Sequence, residues 1–225
     1  MAYNVHGFRA GTAEVAAAVE SERPDILLLN ETRYLGLRLR RFARRVGMRR
    51  ASGTGVWRPI PNAILVRPPW RIVRKEVLIF PRTRRTVRRG LVVAVGGRAG
   101  TRLSIAALHL GLHEGERKEH ARVVTDFLAG RREAVVLGGD LNEGPEGPAT
   151  SWIAGRYWDV FSRAGEGDGS TFPTGDPRAR IDYLFVSQGV EVERAWVGGR
   201  SFSGTADHLP VVADLSAAAD VILGG

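Results

Sequence analysis

The stretch "VVLGGDLNEGPEG" (residues 135–147) climbs through an apolar run, places Asp140 and Asn142 at its end, and then breaks up in glycine and proline. Aliphatic and β-branched residues before such a break predict a buried strand. On an extended backbone, side chains two residues apart share a side. The strand would then hold a carboxylate and a carboxamide at its carboxyl end, facing one spot. A purely local reading competes with this one. Asp and Asn are favoured in turns because their side chains bond the backbone two residues on, so the same letters also describe an Asx turn. The rest of the chain has to decide between them.

Working outward, runs of strand composition recur at 3–5, 25–30, 62–66, 72–80, 90–97, 102–110, 134–142, 180–187, 191–198 and 209–215. Helical patterns lie between them at 11–22, with Thr12 as its cap, at 35–46, and at 114–130. The last puts Val123, Val124, Phe127 and Leu128 on one face and stops at Gly130. Many strands with few helices, some centrally apolar and some alternating, fit two packed sheets with helices outside better than one parallel sheet. The expected class is therefore α/β (α+β), two packed mixed β-sheets flanked by helices. Residues 1–225 read as a single domain without internal repeats, with a loose tail after about residue 216. The polar segment 164–179 is long for a connection, which marks it as mobile or functional.

Composition narrows the chemistry. There is no cysteine, so disulfides, zinc–thiolate centres and cysteine nucleophiles are excluded. A metal would have to be held by Asp, Glu, Asn and His, which favours a hard cation such as Mg²⁺, with Mn²⁺ next. No run approaches the ~18 apolar residues of a membrane span, and no membrane insertion is expected. The start "MAYNVHGFRAG" carries neither the basic nor the apolar region of a signal peptide. A cytoplasmic monomer is expected, although a mature secreted chain would look the same. The net charge is +9 and comes almost wholly from arginine. It suits a polyanionic substrate such as DNA or RNA, but it also fits an arginine-rich compositional habit. Residues 38–45 and 81–90, where arginines cluster, read as a solvated helix face and an edge strand.

Polar residues gather at the ends of the apolar runs: Asn4, Glu31, His109, Asp140, Asn142, Asp182, Asp207 and His208. Each alone reads as a cap, a turn residue or a satisfied core group. Together they suggest one site, because loops at strand termini converge on ligands. Carboxylates brought together in a low dielectric repel and are costly to desolvate; a divalent cation removes that cost. His208, beside Asp207 and with Asp182 available to orient it, has the makings of an Asp–His pair. Phosphoryl transfer to water fits such a set.

The ordered motifs "YNVHGF", "DILLLNET", "NAILV", "ALHLG", "GGDLNEGP", "STFP…RIDYLFVS" and "TADHLPVV" resemble those of the endonuclease/exonuclease/phosphatase superfamily from Asn4 to about Leu215. The resemblance implies a four-layer sandwich and a divalent-metal phosphoesterase. It implies metal binding by Asn4, Glu31 and Asp207, with Glu31 the main ligand. Asp140 would position or deprotonate the attacking water, and Asn142 would contact the scissile phosphate. His208 would stabilise the transition state and Asp182 would orient it. His109 matches the second His of the deoxyribonuclease, sphingomyelinase and phosphatase branches, and it argues against an apurinic endonuclease. The sequence departs from the pattern at Asn30, where Gln is commoner before the metal Glu.

Other residues read as structural. His6 and His113 belong to loops, His120 is solvated or packed on a helix, and Trp57, Trp70, Trp152, Trp158 and Trp196 are too scattered for a base-stacking platform. Arg89 is the best arginine candidate for a substrate phosphate. The expected activity is a metal-dependent nuclease or phosphodiesterase. A phosphomonoesterase is the alternative, and a non-catalytic nucleic-acid-binding member the third reading.

Overall fold

The computed structural model describes residues 1–32, 36–53, 60–81 and 87–217. Trp57, much of the arginine cluster at 81–90, and the tail from residue 218 lie outside the described residues.

Two six-stranded sheets form the centre. The first contains β1 (Ala2–Asn4), β2 (Ile26–Asn30), β3 (Arg49–Gly53), β4 (Ala63–Val66), β11 (Val190–Val197) and β12 (Val211–Ala217), in the order β11-β12-β1-β2-β4-β3. The second contains β5 (Arg71–Ile79), β6 (Gly90–Arg98), β7 (Thr101–His109), β8 (Ala134–Asp140), β9 (Trp158–Asp159) and β10 (Asp182–Val186), in the order β5-β6-β7-β8-β10-β9. Both sheets are mixed: β1–β2 and β7–β8 run parallel, and the other pairs antiparallel. Helices α1 (Thr12–Glu22) and α2 (Gly36–Arg45) cover the first sheet, and α3 (Glu114–Leu128) and α4 (Pro148–Ala154) the second. A short α5 (Val160–Ala164) follows β9.

The pleat of β2 shows why the chain stacks this way. Leu27 and Leu29 point to α1 and α2, while Leu28 joins the layer between the sheets with Ile64, Ile105, Val136 and Leu184. A strand covered on both faces needs an unbroken apolar run, which "ILLL" supplies. Edge strands such as β5 and β11 are instead exposed at several positions. A third cluster packs α3 against the outer face of the second sheet through Ala121, Val124 and Leu128, with Val123 and Phe127 half-buried beside them.

Some expectations change. Gly11, not Thr12, caps α1, and no side chain makes the cap bond. Strand β3 is not among the expected strands: "RRASG" has too little apolar content to announce one, and it is stabilised as an edge by pairing with β4. Val87–Arg89, expected as edge strand, is irregular and strand structure resumes at Gly90. The segment 164–179 is tied down by the pairing of Phe172 with Ala179 and by the Thr174 N–H on the Asp207 carbonyl.

Candidate active site

Register places the central polar groups in one row. Across the second sheet His109 lies opposite Asp140, and Asp140 opposite Asp182. On the far side of His109 sits Gly90, preceded by Arg89. In-register neighbours present their side chains on the same face. Two carboxylates directly opposite each other would be destabilising on their own, and both are buried. The first sheet contributes a matching end, with Asn4 opposite Asn30. The Asn4 amide crosses the gap and donates to Asp140 Oδ2 at 3.0 Å.

The two oxygens of Asp140 do different things. Oδ1 accepts the Asn142 backbone N–H at 2.8 Å, an Asx turn. Oδ2 faces Asn4, His109 Nε2 at 3.1 Å and His208 Nε2 at 3.9 Å. The Asx turn of the local reading is therefore present, and the carboxylate that closes it also faces two histidines. The extended-backbone expectation for Asn142 does not hold: β8 ends at Asp140, Asn142 is left-handed (φ 52°), and its amide donates to the Leu110 carbonyl at 3.2 Å. Backbone strain concentrates nearby. His6, Phe8, Glu31 and Asn142 make up four of the six left-handed non-glycine residues described, a conformation that bulky L-residues hold only where their surroundings impose it.

Each histidine has an assigned role in the network. Arg89 donates from its guanidinium to His109 Nδ1 at 2.6 Å. Arginine has no acceptor, so Nδ1 must accept, and Nε2 carries the proton that faces Asp140. His208 is the reverse: Nδ1 donates to Asp182 Oδ2 at 2.8 Å, and Thr171 donates its hydroxyl to the same oxygen at 2.7 Å. Burial alone would discharge His208, but Asp182 first and Asp140 next outweigh it, and its pKa is pushed up to about 9. Burial and the Asp140 charge push the Asp182 carboxyl up, against the pull of His208. For Asp140, burial pushes upward, but His109, His208 and the Asn142 N–H prevail and hold it well below the usual carboxylate range.

A second group lies on the same rim. The Gly7 N–H bonds the Glu31 carbonyl at 2.8 Å, and His6 Nδ1 stands 3.1 Å from Asp207 Oδ1. One turn thus joins Glu31 to Asp207. Glu31, Arg89, His6 and Arg9 line a cleft of about 280 Å³. Among the described residues the Glu31 carboxylate meets no cation. Asp140, Asp182 and His208 offer ligand atoms within 4.8 Å of one another and could hold a metal ion. His113 is the N-cap residue of α3, and its side chain makes no cap bond. His120 is buried, bonded to the Pro81 carbonyl at 2.9 Å and packed on Phe80.

Sequence reasoning missed three contributors. Thr171 buttresses Asp182, His6 pairs with Asp207, and Asn62 completes a bridge between the sheets. Asn30 Oδ1 accepts the Asp140 N–H at 3.0 Å, while its amide donates to the Leu108 carbonyl and to Asn62 Oδ1. Asn62 in turn donates to the Gly90 carbonyl at 2.8 Å. An Asn opening an otherwise apolar strand, as in "NAILV", was the available signal for this bridge.

The sequence matches the profile of the Endonuclease/Exonuclease/phosphatase family over residues 1–203. No curated protein matches it. Among solved structures it resembles a functionally unknown conserved protein from Enterococcus faecalis (TM-score 0.83, 15% identity, covering 96% of this chain and 98% of that one). It is also similar to a mannosyl-6-phosphatase of Bacteroides thetaiotaomicron (TM-score 0.81, 20% identity, 96% and 98% covered). A third likeness is to D. rerio TDP2 complexed with single strand DNA product (TM-score 0.78, 20% identity, 96% and 97% covered). At such identities the likeness is one of fold.

Proposed function

The chain belongs to the endonuclease/exonuclease/phosphatase family, and from that membership we propose that this phosphoesterase is a divalent-metal-dependent phosphodiesterase acting on nucleic acid. The observation that carries the reading is the charged His208, held by Asp182, with Nε2 turned towards an Asp140 oxygen 3.9 Å away. A phosphate under attack builds negative charge on its non-bridging oxygens, and a preorganised cation with an N–H donor at that point lowers the barrier.

Asp140 orients the attacking water. Its carboxyl is held too far down to be an efficient proton acceptor near neutrality, but its ionised Oδ2 fixes a donor between His109 and His208. Arg89 and His109 maintain the protonation pattern that keeps this oxygen an acceptor. Asn142, with its turn closed on Asp140, is assigned to the scissile phosphate. Thr171 and Asp182 are positioning residues that act through His208.

Glu31, with Asp207 and the Asn4 amide oxygen, is assigned to Mg²⁺ or Mn²⁺. These are oxygen donors, and among the described residues the Glu31 carboxylate on the cleft wall meets no cationic partner, which fits a hard divalent ion. The alternative cluster of Asp140, Asp182 and His208 is less suited to metal, because a ligating imidazole must be unprotonated and His208 is held protonated by Asp182. When bound, the ion supplies charge neutralisation to the phosphate oxygens.

The test is hydrolysis of supercoiled plasmid, bis-p-nitrophenyl phosphate and p-nitrophenyl phosphate in Mg²⁺, with EDTA and the Asp140→Ala protein as blanks. Nicking and diester cleavage that vanish in both blanks support the reading. Turnover of the monoester alone would replace it with a phosphatase.

A further inference from the structure

The positive charge of this chain is concentrated rather than dispersed. Residues 36–53 hold seven arginines and no carboxylate, against a net charge of +9 for all 225 residues, so the rest of the chain is nearly neutral. Leu39, Phe42 and Ala43 form the buried side of α2, and the helical repeat leaves Arg38, Arg40, Arg41, Arg44 and Arg45 together on the opposite, exposed side. Among the described residues no carboxylate pairs with any of these five or with Arg49. The next strand continues the face. Burial and then the like charge of Arg40 lower the Arg50 guanidinium from its ordinary range, which places α2 and β3 charges side by side. A groove of about 390 Å³ lies beyond, lined by Arg49, Arg50 and Arg71 with Trp70 and Ile72 as its apolar wall.

Such a face works against the stability of the free protein. Like charges at i,i+3 and i,i+4 destabilise a helix, and α2 has several such pairs. Helix α3 shows what an ordinary solvated face looks like, with Glu114 paired to Lys118. The dipole favours arginine in the last turn of α2, but it does not account for Arg38, Arg40 or the arginines of β3. Registers of β3 with β4 and β5 with β6 put Arg49 and Arg71 at the end of the sandwich away from Asn62 and Gly90. Helix α2 follows Glu31 and Thr32 in the chain, so the face extends from the catalytic rim to the opposite end.

We infer that this face, α2 with the β3/β5 groove, is a binding track for the phosphate backbone of a nucleic-acid strand, separate from the residues that cut it. Seven arginines in a segment, 36–53, whose sequence holds no carboxylate match a repeating anion. A membrane surface is disfavoured, because only Leu37 offers exposed apolar area along the helix. Binding here is independent of the catalytic reading.

The experiment uses fluorescence anisotropy with a labelled single-stranded oligonucleotide and the full chain carrying Asp140→Asn, kept in EDTA to suppress cutting. Arg40→Gln, Arg41→Gln and Arg44→Gln together should weaken binding at least about tenfold near 0.1 M salt. They should also lower the slope of log affinity on log salt by about two, three phosphate contacts at ~0.7 each. Arg102→Gln, Arg132→Gln and Arg200→Gln, an equal loss of charge elsewhere, should keep the original slope. Folding is checked by melting, where the α2 variant should be at least as stable as the parent, since glutamine is a good helix former and repulsion is relieved. Equal effects from both triple variants, or no oligonucleotide binding by the parent, would overturn the inference. So would an α2 variant that loses phosphatidylserine vesicles while retaining the oligonucleotide. A chain inactive on every phosphoester would leave this binding in place, so the two readings fail separately.

Discussion

Asp140 divides its work between its oxygens: one closes the turn that ends β8, and the other faces Asn4, His109 and His208. Asp140→Ala removes both, and turnover should fall at least ~100-fold, as it does when a positioned acid–base or charge-stabilising group is lost; steady-state kinetics on a diester would show it. His208→Ala should do the same. Asp182→Asn is subtler. His208 has a native pKa near 9 against an ordinary 6.5, so the favourable charged form is fully present below 6.5 and is lost as pH rises through about 9. The rate should therefore decline on an alkaline limb near pH 9. With asparagine at 182 the main raising influence is gone, and that limb should move towards neutrality. A limb that stays put would show that His208 charge is not what the reaction uses.

Among the elements, β8 and its neighbours depend on the Asn30–Asn62 bridge. Asn30→Ala would leave the Asp140 N–H, the Leu108 carbonyl and the Asn62 carbonyl oxygen without partners in a buried place. At ~1–3 kcal/mol for each buried unsatisfied group, the loss should reach about 3 kcal/mol, read from urea unfolding with an unchanged slope. Thr171→Val tests the 164–179 loop: it should lower turnover several-fold and shift the alkaline limb downwards without changing KM greatly. These two elements also mark where the sequence was legible. The apolar runs of β2, β7 and β8 are long enough to declare themselves, and their terminal Asn30, His109 and Asp140 stand where a strand end should put them. Strand β3 is polar and acquires its structure from β4, while β9, α4 and α5 are too short for a period to show. Thr171 and Asn62 became visible only through contacts spanning many residues, which no local pattern encodes. His6 looked like a loop residue because its partner, Asp207, lies at the other end of the chain.

For the whole molecule, the two sheets bring Asn4, Glu31, His109, Asp140, Asp182 and His208, from six separate stretches of chain, to one rim, and the charge that surrounds them is uneven. The Glu31 side of the rim should gain from a cation that the folded state alone binds. At a hundredfold excess over Kd such linkage is worth about 2.7 kcal/mol, so Mg²⁺ should raise the melting temperature of the parent and leave that of Glu31→Gln nearly unmoved. The measurement that tests the central claim most directly is diester hydrolysis followed against Mg²⁺ concentration for the parent, Asp140→Asn and Glu31→Gln. The account predicts turnover that rises with Mg²⁺ in the parent and needs much more Mg²⁺ in Glu31→Gln. It predicts turnover at least about 100-fold lower in Asp140→Asn at every concentration. Metal-independent hydrolysis, or an Asp140→Asn protein as active as its parent, would contradict it.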